Sequence, residues 1–285
     1  EFFAAYINLD RAPGRRLFME RQLGAAGIEA ERIAAVDSSA PGFTPRGGLK
    51  VERDDVLIEM NWDGRPYVTG EEACLQSHVV ALKRFLESGA PHAVIFEDDA
   101  ELAPDFLAVV EAALARRELW DAVKLEGNRK KGGRAALTVA PLTGPYRLVA
   151  SMNPAAGTAA YLFSRAGAER VLARLEGVFE PYDNFLATLW RHDLRLLDCA
   201  PFPARQGIAE SSRSDTRARR QRSAAEAFTR WHRHVRADFI GRNLRRWPAQ
   251  LRHYLKLAKG LTIAPWARAW PAPPAPAPTV TSPPG

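Results

Sequence analysis

The stretch that decides the fold is His92-Ala93-Val94-Ile95-Phe96-Glu97-Asp98-Asp99. The run His92 to Phe96 is too short for a helix and too apolar for a half-exposed strand, so it reads as a strand buried on both faces, as in parallel sheets. The three carboxylates that follow repel one another, and stability gives no reason to place them at the mouth of a buried strand. A positive charge is therefore expected among them. Ligands of open α/β sheets bind beyond the carboxyl ends of the strands, and hard oxygen donors there suit Mg²⁺ or Mn²⁺ carrying a pyrophosphate, as in a nucleotide-sugar site. A second reading stands beside this one. Acidic residues after a strand often form turns or cap the next helix, and Pro104 opens a helical stretch over 105–114.

Outward from this strand, the chain alternates strands and helices. Residues 4–9 read as a strand, 14–23 as a helix with Leu17, Phe18 and Leu23 on one side, and 33–36 as a short strand. Residues 37–68, with several Gly and Pro and charges without period, read as a long irregular connection of the kind that often carries function. Cys74, Leu75, Val79, Leu82, Phe85 and Leu86 recur at helical spacing over 70–87, and Ser88-Gly89 ends that helix. After the helix 105–114, strands are expected at 122–125, 137–140, 146–150, 158–163 and 194–200, with helices at 165–175 and 182–191. This order predicts an α/β fold: one Rossmann-type domain around a mostly parallel sheet.

The chain has 285 residues, 46% of them hydrophobic, enough for one substantial core. Its net charge of +7 is unevenly spread: residues 212–270 hold 15 Lys and Arg against 3 Asp and Glu, leaving 25 against 30 elsewhere. A mildly acidic body over 1–212 is thus followed by a basic helical extension, 213–270, and a Pro-rich low-complexity end, 271–285. In the extension Leu244, Trp247, Leu251, Tyr254, Leu255 and Leu261 fall at helical spacing around Pro248. Such a basic, aromatic-bearing stripe suits an anionic membrane surface, with Trp247, Leu251 and Tyr254 facing it, or phosphates and bases of a nucleic acid, or a contact within or between copies of the chain. The membrane is the favoured partner and nucleic acid the unfavoured one. Cys74 and Cys199 lack metal-ligand spacing between them and form no disulfide framework, which points to structural thiols in a reducing cytoplasm. No stretch reaches the roughly 20 apolar residues of a membrane span.

Six motifs occur in order: Ile7-Asn8-Leu9-Asp10-Arg11 with Arg15-Arg16; Gly70-Glu71-Glu72-Ala73-Cys74-Leu75-Gln76-Ser77-His78; Phe96-Glu97-Asp98-Asp99; Ala156-Gly157-Thr158-Ala159-Ala160-Tyr161-Leu162 followed by Ser164-Arg165-Ala166-Gly167-Ala168; Pro181-Tyr182-Asp183; and Gln206. Through them the body, roughly 4–212, resembles glycosyltransferase family 25, which contains bacterial lipooligosaccharide galactosyltransferases and collagen galactosyltransferases. Any one motif is weak; their order over two hundred residues is specific. The resemblance implies a GT-A-like fold and a UDP-sugar-dependent, usually inverting and usually galactosyl transferase.

On that basis Asp99 is expected to bind Mn²⁺ or Mg²⁺ directly with Glu97, the two sharing a side if the strand continues past Phe96, and Asp98 to face ribose or sugar. Asn8 and Arg11 stand where a uridine diphosphate would lie, Arg11 holding phosphate oxygens in a fork or else joining a solvated first helical turn with Arg15 and Arg16. Ser77 and His78 are expected at the nucleotide or the acidic cluster, against a plain core role. Gly157, Thr158 and Gln206 would approach the donor, and Lys124 and the loop 129–131 anionic groups. Asp183 is the candidate base, with a helix cap as the competing role. The expected activity is transfer of a hexose to a lipid-linked or surface glycan by an enzyme on the inner face of the cytoplasmic membrane. Its rivals are a nucleotide-sugar or phosphosugar hydrolase using the same cluster and a nucleic-acid-binding protein with a silent body.

Overall fold

The computed structural model describes residues 1–45, 47, 49–53, 56–60, 68–127, 136–151, 154–175 and 181–207, and positions 248, 249, 251, 252 and 255. The chain opens with β1 (Phe3–Asn8), α1 (Pro13–Ala25) and β2 (Glu31–Ala34), then a hairpin of β3 (Leu49–Arg53) and β4 (Val56–Met60). Next come α2 (Thr69–Glu87), β5 (His92–Glu97), β6 (Ala100–Leu102), α3 (Phe106–Leu114) and β7 (Ala122–Lys124). Then follow β8 (Ala136–Pro141), β9 (Arg147–Ser151), β10 (Ala160–Ser164), α4 (Arg165–Arg174), α5 (Tyr182–Leu186), α6 (Leu189–His192), β11 (Leu196–Ala200) and β12 (Ala204–Gln206).

Eight strands form the main sheet in the order β2-β1-β5-β10-β7-β11-β9-β8. The pairs β2/β1, β1/β5 and β7/β11 are parallel and the other four antiparallel, so six strands run one way while β10 and β9 run against them. The expected α/β class with a large, mostly parallel sheet is therefore present in mixed form. Reversed β10 lies between β5 and β7, so the segment entering it, 154–159, reaches the same sheet edge as the carboxyl ends of β5 and β7.

Period-two alternation along the central strands feeds two cores. On one face Tyr6, Val94, Phe96, Val123, Leu125 and Leu162 pack with Met19 and Leu23 of α1 and Phe106, Val109 and Val110 of α3. On the other Ile7, Ile95, Tyr161 and Phe163 pack with Leu75, Leu82 and Phe85 of α2, Val171 of α4 and Phe185 of α5. The alternation continues past the apolar residues: Glu97 follows Ile95 to the α2 face, Lys124 follows Ala122 there, and Asn8 follows Tyr6 to the α1 face. Helix α2 carries Glu71 and Glu72 in its first turn and Arg84 in its last, matching its dipole, and the chain leaves it through Gly89 at φ +75°.

Several expectations change. The connection 37–68 contains the β3/β4 hairpin, whose register pairs Leu49 with Met60 and Arg53 with Val56. In α1 the buried residues are Met19 and Leu23, while Leu17 is half exposed, because the sheet covers a narrower stripe than the apolar residues mark. The helix expected over 182–191 breaks at Ala187-Thr188 into α5 and α6, the Thr188 hydroxyl bonding back to Asn184 O at 2.8 Å. Strand β5 stops at Glu97 and turns at Asp98-Asp99, so Glu97 and Asp99 are not alternate residues of one strand. Trp247, Tyr254 and the loop 129–131 lie outside the described residues, and Leu251 and Leu255 are exposed. Among the described residues no helix is long and apolar enough to cross a membrane.

Candidate active site at the carboxyl edge of the sheet

The turn after β5 splits its three carboxylates between two neighbourhoods. Asp98 and Asp99 go together to one guanidinium: Arg15 Nη2 lies 2.5 Å from Asp98 Oδ1 and 2.8 Å from Asp99 Oδ2. Asn8 donates from Nδ2 to Asp98 Oδ2 at 2.7 Å, and its own Oδ1 accepts from Arg32 Nε at 3.1 Å. Glu97 turns the other way, accepting from Thr158 Oγ1 at 2.6 Å and lying 3.5 Å from His78 Nε2. The second sheet, β6 with antiparallel β12, closes the far side: Gln206 Nε2 donates to Asp99 Oδ2 at 3.1 Å and Gly207 N to Asp99 O at 2.7 Å.

Charge is concentrated and poorly hydrated here. Burial pushes the Asp99 carboxyl up to about 6, helped by Glu97 and opposed by Arg15 and Gln206. Burial raises Asp98 too, against Arg15 and Asn8. Two strands over, on β7, the Lys124 ammonium is fully buried; it donates to Ala155 O at 2.5 Å and to Gly157 O. Burial lowers its pKa, while Asp198, Glu126, Asp183 and Glu97 act on it in the opposite sense. Glu126, at the end of β7, is pushed up to about 7 by burial despite Lys124 and the Ala159 N–H, which it accepts at 3.1 Å. Gly157 sits at φ +103°, and a Cβ there would come within 2.5 Å of Glu126 Oε2. Glycine is thus required by conformation and by close approach together.

The sequence candidates fall into distinct places. Asn8, Glu97, Asp98, Asp99, Thr158 and Gln206 meet at the cluster, with Gly157 one shell away through Glu126. His78 abuts Glu97, its Nδ1 2.8 Å from the Tyr161 hydroxyl and its ring stacked on Tyr182 at 4.3 Å. Ser77 instead ties α2 down, donating to Ala73 O at 2.7 Å and accepting from Val36 N at 2.9 Å. Arg11 is more than half exposed and pairs with Asp37 at 2.6 Å, holding that carboxyl down at about 2. Asp183 is half-buried in the first turn of α5; the cap position belongs to Pro181, and Asp183 Oδ1 accepts only its neighbour's N–H, from Asn184, among the described bonds, at 2.8 Å. Arg15 bridges two carboxylates rather than joining a solvated first helical turn, and Glu126 and Asp198 are the residues that the sequence candidates lack. Glu126, just after the apolar strand that already carries Lys124, was the available signal, since buried charges are rare without a partner or a task.

The donor set fits a divalent cation. Asp99 Oδ1 is buried with no hydrogen-bond partner among the described residues. Burial is the main cause of the raised Asp99 and Glu126 carboxyls, with Glu97 adding to both, so a cation there would meet buried, crowded carboxylates.

The mixed sheet gathers these buried acidic and polar groups where β1, β5 and the entry to β10 converge, the edge at which open α/β sheets bind their ligands. The chain belongs to glycosyltransferase family 25 (LPS biosynthesis protein), whose model matches residues 4–186, and it is accordingly a glycosyltransferase. A sugar donor and a glycan acceptor follow from that membership. Among solved structures it is similar to A197 from STIV, at 14% identity and TM-score 0.37 over 74% of this chain and 87% of that one. It is also similar to a putative UDP-N-acetylglucosamine pyrophosphorylase from Entamoeba histolytica, at 13% identity and TM-score 0.25 over 59% and 45%. No curated protein matches it.

Proposed function

We propose that the chain transfers a hexose, galactose first among candidates, from a UDP-sugar to a lipid-linked or cell-surface glycan, with inversion and with Mn²⁺ or Mg²⁺ at the acidic cluster. The observation that carries this reading is the buried Asp99 carboxylate with an unsatisfied Oδ1 at the carboxyl end of β5. Asp99 would hold the cation, Glu97 joining it only by turning from Thr158, and the ion when bound supplies positive charge to the departing diphosphate. Arg11, exposed after β1 and held through Nε and Nη2 by Asp37, would exchange that carboxylate for phosphate oxygens when the donor binds. Arg15 bridges Asp98 and Asp99 and opposes the rise that burial gives both carboxyls. The Gly157 backbone, positioned by Lys124 and packed against Glu126, would line the donor-sugar side of the site. Asp183 takes the proton of the acceptor hydroxyl; it is half-buried, near enough to act on Lys124, and is not the residue at the cap position of α5. The basic extension would hold the enzyme at an anionic membrane face on the cytoplasmic side, where a lipid-linked acceptor resides.

A panel of nucleotide sugars, each tested for protection against thermal unfolding with and without Mn²⁺, checks the donor. Binding to the folded state alone raises stability by mass action, about 2.7 kcal/mol at a hundred times Kd. A UDP-hexose should protect, and more strongly with the metal. Equal indifference to every nucleotide sugar contradicts the proposal, and release of free sugar without acceptor would favour the hydrolase.

A further inference from the structure

Cys74 and His78 lie four residues apart on α2, one turn, so their side chains share the helix face that meets the end of β5. Cys74 Sγ, a His78 ring nitrogen and a Glu97 carboxylate oxygen all lie within 4.8 Å of one another. His78 is 1% exposed, and its Nε2 has no hydrogen-bond partner among the described residues although it is aimed at Glu97 Oε1, 3.5 Å away. Its other nitrogen is held by the Tyr161 hydroxyl at 2.8 Å and its ring by Tyr182, an arrangement that fixes ring orientation as outer-shell partners of metal-bound imidazoles do. A buried imidazole nitrogen left without a bond is costly, and a cation between the three donors would satisfy it.

We infer that Cys74, His78 and Glu97 form a site for a zinc-class transition-metal ion, distinct in chemistry from an all-oxygen Mg²⁺ or Mn²⁺ site. Thiolate and imidazole donors select Zn²⁺ and its analogues, whereas magnesium and manganese prefer oxygen. Three protein ligands leave a fourth position open, the pattern of zinc sites that admit water or substrate. Zinc bonds of about 2.0–2.3 Å require the three donors to draw together by roughly 1 Å, within reach of side-chain rotation. Glu97 is the shared wall between this site and the Asp98–Asp99–Arg15 group, so the ion would pin α2 to the end of β5 beside the cleft.

The test uses the full chain stripped with chelator and titrated with Co²⁺. Saturation at one equivalent with a thiolate-to-cobalt charge-transfer band and tetrahedral d–d intensity, reversed by Zn²⁺, is expected. Cys74→Ser should abolish the charge-transfer band, while Cys199→Ala and Asp99→Asn keep it; persistence in Asp99→Asn separates this site from the donor site. Absence of the band in the wild type, or an unchanged spectrum in Cys74→Ser, overturns the inference. Should Cys74→Ser fail to fold, the wild type still decides: one equivalent of Zn²⁺ should slow alkylation of Cys74 by iodoacetamide at least tenfold, and unchanged alkylation overturns the site.

Discussion

At the scale of single residues, the proposed site assigns the holding of charge to Asp99 and proton transfer to Asp183. Asp99→Asn keeps the side chain's shape and relieves a crowded anion, so the fold should persist while transfer and metal-dependent UDP binding are lost; wild-type activity in this variant would refute the site. Asp183→Asn should depress turnover by about 10² or more with donor affinity nearly unchanged, read as kcat against donor KM. A purely capping residue would tolerate that change, since Asn caps as well as Asp. Glu126 carries a prediction in pH. Its carboxyl is raised from 4.5 to about 7 by burial, so the folded chain keeps its proton longer than the unfolded chain does. It therefore costs nothing below pH 4.5, removes stability progressively as the pH climbs from 4.5 to 7, and holds that loss above. The full effect is about 3 kcal/mol. Urea unfolding of wild type and Glu126→Gln at stepped pH should show that slope reduced in the variant, whose amide oxygen still accepts the Ala159 N–H.

At the scale of elements, two glycines are fixed by what lies against them. Ser164 caps α4 by accepting from Gly167 N at 3.1 Å, and a Cβ on Gly167 would come within 2.4 Å of Asp121 O, a backbone atom that cannot step aside. Gly167→Ala should thus lift α4 off the start of β7 and cost about 1–3 kcal/mol, measured as a fall in urea midpoint. Gly157→Ala meets both a forbidden φ and the Glu126 carboxylate, and should weaken donor binding besides stability. Elements with strong periodicity were legible in the sequence: α2 and β5 lie within a residue of where the pattern puts them, because burial on both sheet faces leaves the chain little choice. The β3/β4 hairpin was hidden in a stretch whose charges mask the alternation, and β12 was invisible because three residues suffice once β6 offers an edge. The acidic cluster was legible as a concentration of charge. Its geometry was not, since the turn that hands Asp98 and Asp99 to Arg15 depends on α1 arriving at that edge.

For the molecule as a whole, the contrast between an acidic body and a basic extension sets the expected partner. With 15 Lys and Arg against 3 acidic residues over 212–270, binding to anionic vesicles should weaken as salt rises, each positive charge near the surface contributing about 1 kcal/mol. Leu251 is exposed on the described part of that extension, and Trp247→Ser with Leu251→Ser should reduce vesicle sedimentation and transfer to a lipid-linked acceptor, yet spare a short soluble acceptor. A chain ending at residue 212 that performs equally on both acceptors contradicts the membrane role, and salt-sensitive retention on nucleic acid in place of vesicles would reassign it. The central claim remains that the carboxyl edge of the sheet is a metal-assisted UDP-sugar site centred on Asp99. Calorimetric titration of UDP into the intact chain tests it most directly: binding strengthened at least tenfold by Mn²⁺ in the wild type and indifferent to Mn²⁺ in Asp99→Asn is the predicted result. The same response to Mn²⁺ in both proteins, or no UDP binding to either, would contradict it.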